Sequence, residues 1–203
     1  LIEEGALIDV SHLNKKSLLE VCKIAKKSGK PVIASHANTL FVFNGKKSHP
    51  KKSKDPFAIR CLDDREIKAV LSTGGYVGIT LSPYFLSRRA SELVEKGEKP
   101  ENSLKIEIWR RKSLRFLAKH IAHVQNIAQK IGVDKNNAVA LSSDAEFDDN
   151  GRVVALPGYP QERYSEVFSE LSEMLRQEYD WSENEIRCLF NGNVARVLEA
   201  YSS

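Results

Sequence analysis

No stretch of this 203-residue sequence approaches the roughly 20 consecutive apolar residues that a membrane-spanning helix needs. No basic, apolar and small-residue pattern opens it as a secretory signal would. Cysteine is scarce: Cys22, Cys61 and Cys188 are far apart, form no C-x-x-C pair and imply no disulfide framework. That scarcity leans towards a reducing compartment and a cytoplasmic location, with Cys22 and Cys188 in core-like apolar patterns. An excess of charge of one sign is nearly lacking too, at a formal net +4. The sole basic run, residues 46–54, holds five lysines and His49. A nucleic-acid partner needs a basic stripe interleaved with aromatics, so this run reads as a solvated insertion over residues 44–57. There is no G-x-S-x-G elbow and no cysteine at a strand end, which removes the usual nucleophiles.

What is present is a rhythm of short apolar runs and helical periods. Residues 6–10 predict a strand, followed by a helix over 15–27 with Leu18, Leu19, Val21, Cys22 and Ile24 inward. Gly29 and Pro31 end that helix. A second strand over 31–34 leads into a long loop, to about residue 62. Asp63 with Glu66 makes a capping box for a helix carrying Ile67, Val70 and Leu71. A third strand covers 76–81, a long helix 103–131 and a fourth strand 138–141. An irregular loop then reaches residue 162. Helices over 164–179, 183–190 and 194–200 finish the chain, the second capped by Ser182 and Glu185. Strand and helix alternate four times, which implies a parallel sheet with helical crossovers. A small doubly wound sheet and half of a barrel both satisfy that pattern. The sequence begins at Leu1, almost at once in a strand, and is short of the about 250 residues of a complete (β/α)₈ barrel. It reads as a cut through the middle of a fold.

The strands change character at their C-terminal ends. The first ends in Ser11-His12, the second in Ser35-His36-Ala37-Asn38, the third in Thr80-Leu81-Ser82, and the fourth in Ser142-Ser143-Asp144. In α/β barrels the active site is assembled there. Two imidazoles with a nearby carboxylate suit a catalytic zinc ion, which takes nitrogen and oxygen ligands and keeps a position for water. A carboxylate such as Asp144 could carry the proton between water and leaving group. The plain alternatives are two local hydrogen-bonding histidines and a loop aspartate. His120 and His123, three residues apart in the long helix, lack the glutamate of an H-E-x-x-H pattern and read as structural or exposed. Gly74-Gly75-Tyr76-Val77-Gly78 precedes a strand, whereas a phosphate loop follows one, so it is no phosphate site.

Five segments, in order and across essentially the whole chain, resemble one family. They are Leu7-Ile8-Asp9-Val10-Ser11-His12, the run from Pro31 through Ser35-His36-Ala37-Asn38, Gly74-Gly75-Tyr76-Val77-Gly78-Ile79 through Leu86, Ser142-Ser143-Asp144, and Asn191-Gly192-Asn193 through Leu198. The family is that of the membrane (renal) dipeptidases, binuclear zinc metallopeptidases with a TIM-barrel fold. The resemblance implies an α/β (β/α)₈ barrel of which this chain supplies the C-terminal four βα units. It implies His12 and His36 as ligands of one of two zinc ions and Asp144 as the acid/base residue. Arg60, in Ile59-Arg60-Cys61-Leu62-Asp63, looks like the family arginine that grips the substrate's C-terminal carboxylate. The chain departs from the pattern after Asp144, where Ala145-Glu146-Phe147 replaces Phe-Asp-Gly, and in its enlarged lysine loop. The family's H-x-D and its metal-bridging glutamate belong to the half not present.

The function expected is hydrolysis of dipeptides, including those with a D-residue at the C-terminal position, by a zinc-activated water. A missing N-terminal half or a second copy would be the partner that completes the site. By themselves these residues are expected to be weak or inactive. A family member without catalysis, serving as a binding module, and an amidohydrolase-like enzyme acting on other amides, lactones or esters are the alternatives.

Overall fold

The structure is a computed structural model that describes residues 4–45, 55–97, 102–144, 156, 159 and 165–202. Strand β1 (Ile8–Asp9) pairs in parallel with β2 (Val32–Ile33), placing Ile8 opposite Val32 and Asp9 opposite Ile33. Strand β3 (Val77–Thr80) pairs in parallel with β4 (Val139–Ser142), from Val77 opposite Val139 to Thr80 opposite Ser142. A parallel bridge between Ala34 and Val77 joins the two pairs. There the Ala34 amide donates to the Tyr76 carbonyl at 3.1 Å and the Gly78 amide to the Ala34 carbonyl at 2.7 Å. The strands therefore lie side by side in chain order and point the same way.

Helix α1 (Lys15–Lys27) has its expected bounds and is capped by Asn14, whose side chain accepts from the Ser17 amide at 3.1 Å. It buries Leu18, Cys22 and Ala25, one apolar stripe at helical spacing. Ile24, expected inward, is 47% exposed instead, because two residues beyond Cys22 is the far side of the helix. The segment after β2 is not one loop: it contains α2 (Leu40–Phe43) and α3 (Pro56–Arg60). Asp55 nucleates α3 by accepting from the Phe57 and Ala58 amides at 2.9 and 3.1 Å, with Pro56 preset for the first helical position. Helix α4 (Asp64–Leu71) carries both halves of its capping box.

After β3 comes a 3₁₀ turn (Pro83–Phe85) and then α5 (Arg88–Glu95), a helix the sequence did not suggest, capped by Ser87. Helix α6 (Ser103–Lys130) crosses back to β4. Helices α7 (Glu166–Tyr179) and α8 (Glu183–Arg187) follow, then a π-turn (Cys188–Gly192) leading into α9 (Asn193–Ser202). The main core sets Val32, Ala34, Val77 and Ile79 of the strands against Leu18, Ile67, Leu117, Ile121 and Leu171 of the helices. The opposite strand face contributes Ile33 and Ala140 to a smaller cluster with Tyr76 and Val197 of α9. Cys22 and Cys61 are buried, and Cys188 is only half-buried. Most of the lysine-rich insertion with His49, and the segment Ala145-Glu146-Phe147, lie outside the described residues.

Helix α9 runs beneath the N-terminal ends of the strands. Tyr201 donates to the Pro31 carbonyl at 2.6 Å, and Arg196 to the carbonyls of Gly74 and Asn137 at 2.7 and 2.8 Å. Asn193 donates to the carbonyls of Asn136 and Val139, both at 2.7 Å. At the other end His120, fully buried in α6, fastens two loops. Its Nδ1 accepts from the Thr39 amide at 3.0 Å and faces the Thr39 hydroxyl at 2.9 Å, while its Nε2 meets the Leu86 carbonyl at 2.9 Å. His123 pairs with Asp64 and stacks on Phe41. Both histidines of α6 are structural.

Burial pushes the His120 imidazole down to about 3, and a proton on Nδ1 would point at the Thr39 amide, which can only donate. A histidine whose folded pKa lies below its unfolded value stabilises fully above about 6.5 and loses that contribution as pH falls towards about 3. The stability of the wild type relative to His120→Gln, from urea denaturation, is expected to fall across that window. His120→Ala should cost roughly 2–4 kcal/mol at neutral pH, since it leaves buried partners unpaired and a cavity behind.

Candidate active site

The pairing register decides what meets at the C-terminal strand ends. Asp9 and Ile33 are partners, so three residues further His12 and His36 face one another. Their Nε2 atoms lie 2.6 Å apart and their rings 4.7 Å between centroids. Arg60, at the end of α3, places Nη2 3.0 Å from each ring nitrogen of His12 and packs its guanidinium 5.4 Å from the Phe85 ring. Ser11, His36, Ala37, Asn38, Arg60, Thr80, Phe85 and Asp144 line one small pocket. All four residues singled out in the sequence are therefore brought together. A roomier cavity of about 520 Å³ between α5 and α6 contains no histidine or carboxylate and lies apart from this chemistry.

A second tier of residues holds these groups, and the sequence reading had not singled it out. Asp9 receives the Ser11 amide at 3.0 Å, the Ser11 hydroxyl at 2.6 Å and the Ser35 amide at 3.0 Å on Oδ1, and the Ser35 hydroxyl on Oδ2. Partial burial pushes the Asp9 carboxyl up, but those donors outweigh it and hold the group below its ordinary value. Ser35 Oγ lies 2.7 Å from His36 Nδ1. The only sequence signal for this tier was the serine preceding each histidine.

Asn38, buried between β2 and β3, accepts from the Thr80 amide at 3.1 Å and donates to the Thr80 carbonyl at 3.3 Å. The Thr80 hydroxyl accepts from the Ser82 amide at 3.0 Å, so its own hydrogen is directed at Asp144 Oδ2, 3.2 Å away. Asp144 sits at φ +38°, a left-handed conformation that costs a non-glycine residue about 1–2 kcal/mol. The strain aims its carboxylate into the pocket. His12 is pushed below its ordinary value by desolvation first, then by the positive charge of Arg60 and by His36, against the opposing pull of Asp9 and Asp144.

Two converging imidazoles offer the nitrogen ligands that a zinc ion takes. Zinc–nitrogen bonds of about 2.0–2.1 Å in tetrahedral geometry hold two ligand nitrogens roughly 3.3 Å apart, so the pair needs to open by less than an ångström. Among the described residues no third His, Cys, Asp or Glu joins them. The pair alone supplies two donors, fewer than the three or four protein ligands of a zinc site.

The family model for membrane dipeptidases (peptidase family M19) matches residues 2–203. The chain belongs to that family. Its fold is similar to that of a probable dipeptidase, PvdM, from Pseudomonas aeruginosa, at 19% identity and TM-score 0.61, covering 98% of this chain and 51% of that one. A metallopeptidase from Rhodobacter sphaeroides, liganded with a phosphinate mimic of the dipeptide L-Ala-D-Ala, matches at 20% identity and TM-score 0.61, over 98% of this chain and 43% of that one. An amidohydrolase from Pseudomonas aeruginosa matches at 23% identity and TM-score 0.61, over 98% and 54%. The chain thus spans about half the length of these structures. No curated protein matches it.

In this M19 chain the glycines ahead of and within β3 serve close packing. A Cβ on Gly78 would lie 2.0 Å from the Ser35 carbonyl oxygen, and one on Gly75 1.7 Å from that of Val32. Gly78→Ala must therefore push β2 and β3 apart beside His36. It is expected to destabilise the chain by about 1–3 kcal/mol in urea denaturation.

Proposed function

We propose that this chain is the C-terminal half of a (β/α)₈ metallodipeptidase, with four of the eight βα units and one side of a zinc centre. The observation that carries this reading is the His12–His36 pair, Nε2 to Nε2 at 2.6 Å, with Arg60 3.0 Å from His12 and His36 lining one strand-end pocket with Arg60 and Asp144. His12 and His36 would hold zinc. When bound, zinc supplies Lewis acidity, drawing the pKa of a water towards neutrality. Asp144, aimed by Thr80, takes the proton from the attacking water and delivers it to the amine nitrogen as the peptide C–N bond breaks and the new C–O bond forms. Arg60 grips the dipeptide's C-terminal carboxylate, for which its planar fork provides paired donors. Phe85 gives that fork a flat apolar backing. The L-Ala-D-Ala mimic held by the Rhodobacter relative supports dipeptides with a D-residue at the C-terminal position as substrates.

Zinc content and dipeptide turnover of the complete protein test the reading. His12→Ala and His36→Ala are expected to lose zinc and activity together. Asp144→Asn should keep zinc and lower kcat by about 10²–10⁴-fold. If both histidine variants keep wild-type zinc and turnover, the assignment is wrong.

Arg60 gives a separate expectation. Arg60→Lys should raise KM for dipeptides about tenfold or more, while a dipeptide amide without the C-terminal carboxylate is hydrolysed equally by both proteins. Equal KM values for the free dipeptide would remove Arg60 from substrate binding.

A further inference from the structure

We propose that Asp9 and Ser35 are positioning residues that fix His36 as its Nδ1–H tautomer and so present a bare Nε2 lone pair to the metal. This rests on the reading of His36 as a metal ligand. The argument is an accounting of hydrogens. An ionised carboxylate only accepts. Two of the donors on Asp9, the amides of Ser11 and Ser35, are backbone groups whose direction cannot reverse. The Ser11 hydroxyl gives its single hydrogen to Asp9 Oδ1 at 2.6 Å and accepts the His36 amide at 3.1 Å. The Ser35 hydroxyl gives its single hydrogen to Asp9 Oδ2. The 3.4 Å contact between the two serine oxygens therefore carries no proton.

Ser35 Oγ is left with lone pairs only. Its 2.7 Å contact with His36 Nδ1 can then be satisfied in one direction, with Nδ1–H donating. A neutral imidazole protonated on Nδ1 is bare on Nε2, the atom that faces His12 and the pocket. A metal ligand's other ring nitrogen usually donates to a carboxylate, carbonyl or water. Here a serine hydroxyl relays that demand to the carboxylate.

The same accounting runs on to His12. With His36 Nε2 an acceptor, the 2.6 Å contact requires His12 Nε2 to carry hydrogen in the metal-free chain; of the two ring nitrogens that lie 3.0 Å from Arg60 Nη2, Nδ1 alone then has a lone pair to accept from it. Donors thus point one way from Arg60 through both imidazoles and Ser35 to Asp9. His36 is ready for a metal; His12 has to change tautomer and release Arg60.

The test is the ¹⁵N spectrum of the metal-free, full-chain protein with labelled histidine, recorded above neutral pH. His36 is expected as the Nδ1–H form in the wild type and in Ser35→Thr. Asp9→Asn should reverse it. Three donors keep the amide oxygen in the Oδ1 place, so the amide NH₂ donates to Ser35 Oγ, whose hydrogen turns to His36 Nδ1 and leaves the proton on Nε2. With zinc alone as the probe, Asp9→Asn and Ser35→Ala should weaken binding about 10–100-fold, and Ser35→Thr should restore it. A wild-type His36 found as Nε2–H, or a tautomer unmoved by Asp9→Asn, overturns the proposal. If His36→Ala leaves zinc binding intact while the tautomers behave as expected, the metal reading fails and the orienting network stands.

Discussion

Parallel pairing of short strands in one register is the constraint on which the rest of this molecule depends. β1 and β2 touch over two residue pairs, Ile8 with Val32 and Asp9 with Ile33. Those pairs determine which side chains project together where the strands end. A slip of one residue would turn Asp9 to the other face and send His12 and His36 to different sides. The register is held at both ends. Below, α9 threads hydrogen bonds to Pro31, Gly74, Asn137 and Val139. Above, His120 clasps Thr39 and Leu86. Between them Gly75 and Gly78 let the backbones of β2 and β3 approach to a distance no side chain would permit.

That division explains why the chain's polar groups are so unevenly placed. One face of the strands packs on helices and is apolar, as parallel sheets require. Charge is admitted where the strands stop. There it is arranged with opposite signs at the two ends of the histidine pair, Asp9 behind His36 and Arg60 beside His12. An anion on one side and a cation on the other give a string of hydrogen bonds a single direction, and the Arg60 charge opposes protonation of His12. The proposed metal role requires that, because a protonated imidazole has no lone pair to give.

The sequence made the long-range plan readable and left the short pieces hidden. α1, α4 and α6 show a full helical period with caps, and their bounds agree closely with the structure. α2 and α3 span four and five residues, too few for a period to stand out from a loop, and α5, as long as α4, lacks the capping box that marked α4 in the sequence. Ile24 was misplaced because apolar character alone does not say which side of a helix a residue occupies. His12, His36 and Asp144 stood out as polar residues at strand ends, and Arg60 only through the family resemblance. Asp9, Asn38 and Thr80 were not, because their roles depend on neighbours 26 to 64 positions away that only strand pairing brings near.

Thr80 shows how one ordinary residue can connect fold to chemistry. Its backbone is the last rung of β3, paired with Ser142. Its amide and carbonyl are taken by Asn38, and its hydroxyl oxygen by the Ser82 amide. Every other polar function of Thr80 being occupied, its one hydrogen is left for Asp144, two residues beyond Ser142. Asp144 is held there at φ +38°, a conformation that a serine-aspartate loop would not choose alone. The strand pairing, the buried amide and the hydroxyl thus meet in the direction of one carboxylate oxygen. The cost of the strained backbone is about 1–2 kcal/mol, comparable to one good hydrogen bond to a charged acceptor. The Thr80 contact is therefore sufficient to offset it, and removing that contact would release the carboxylate from the pocket before it disturbed the sheet.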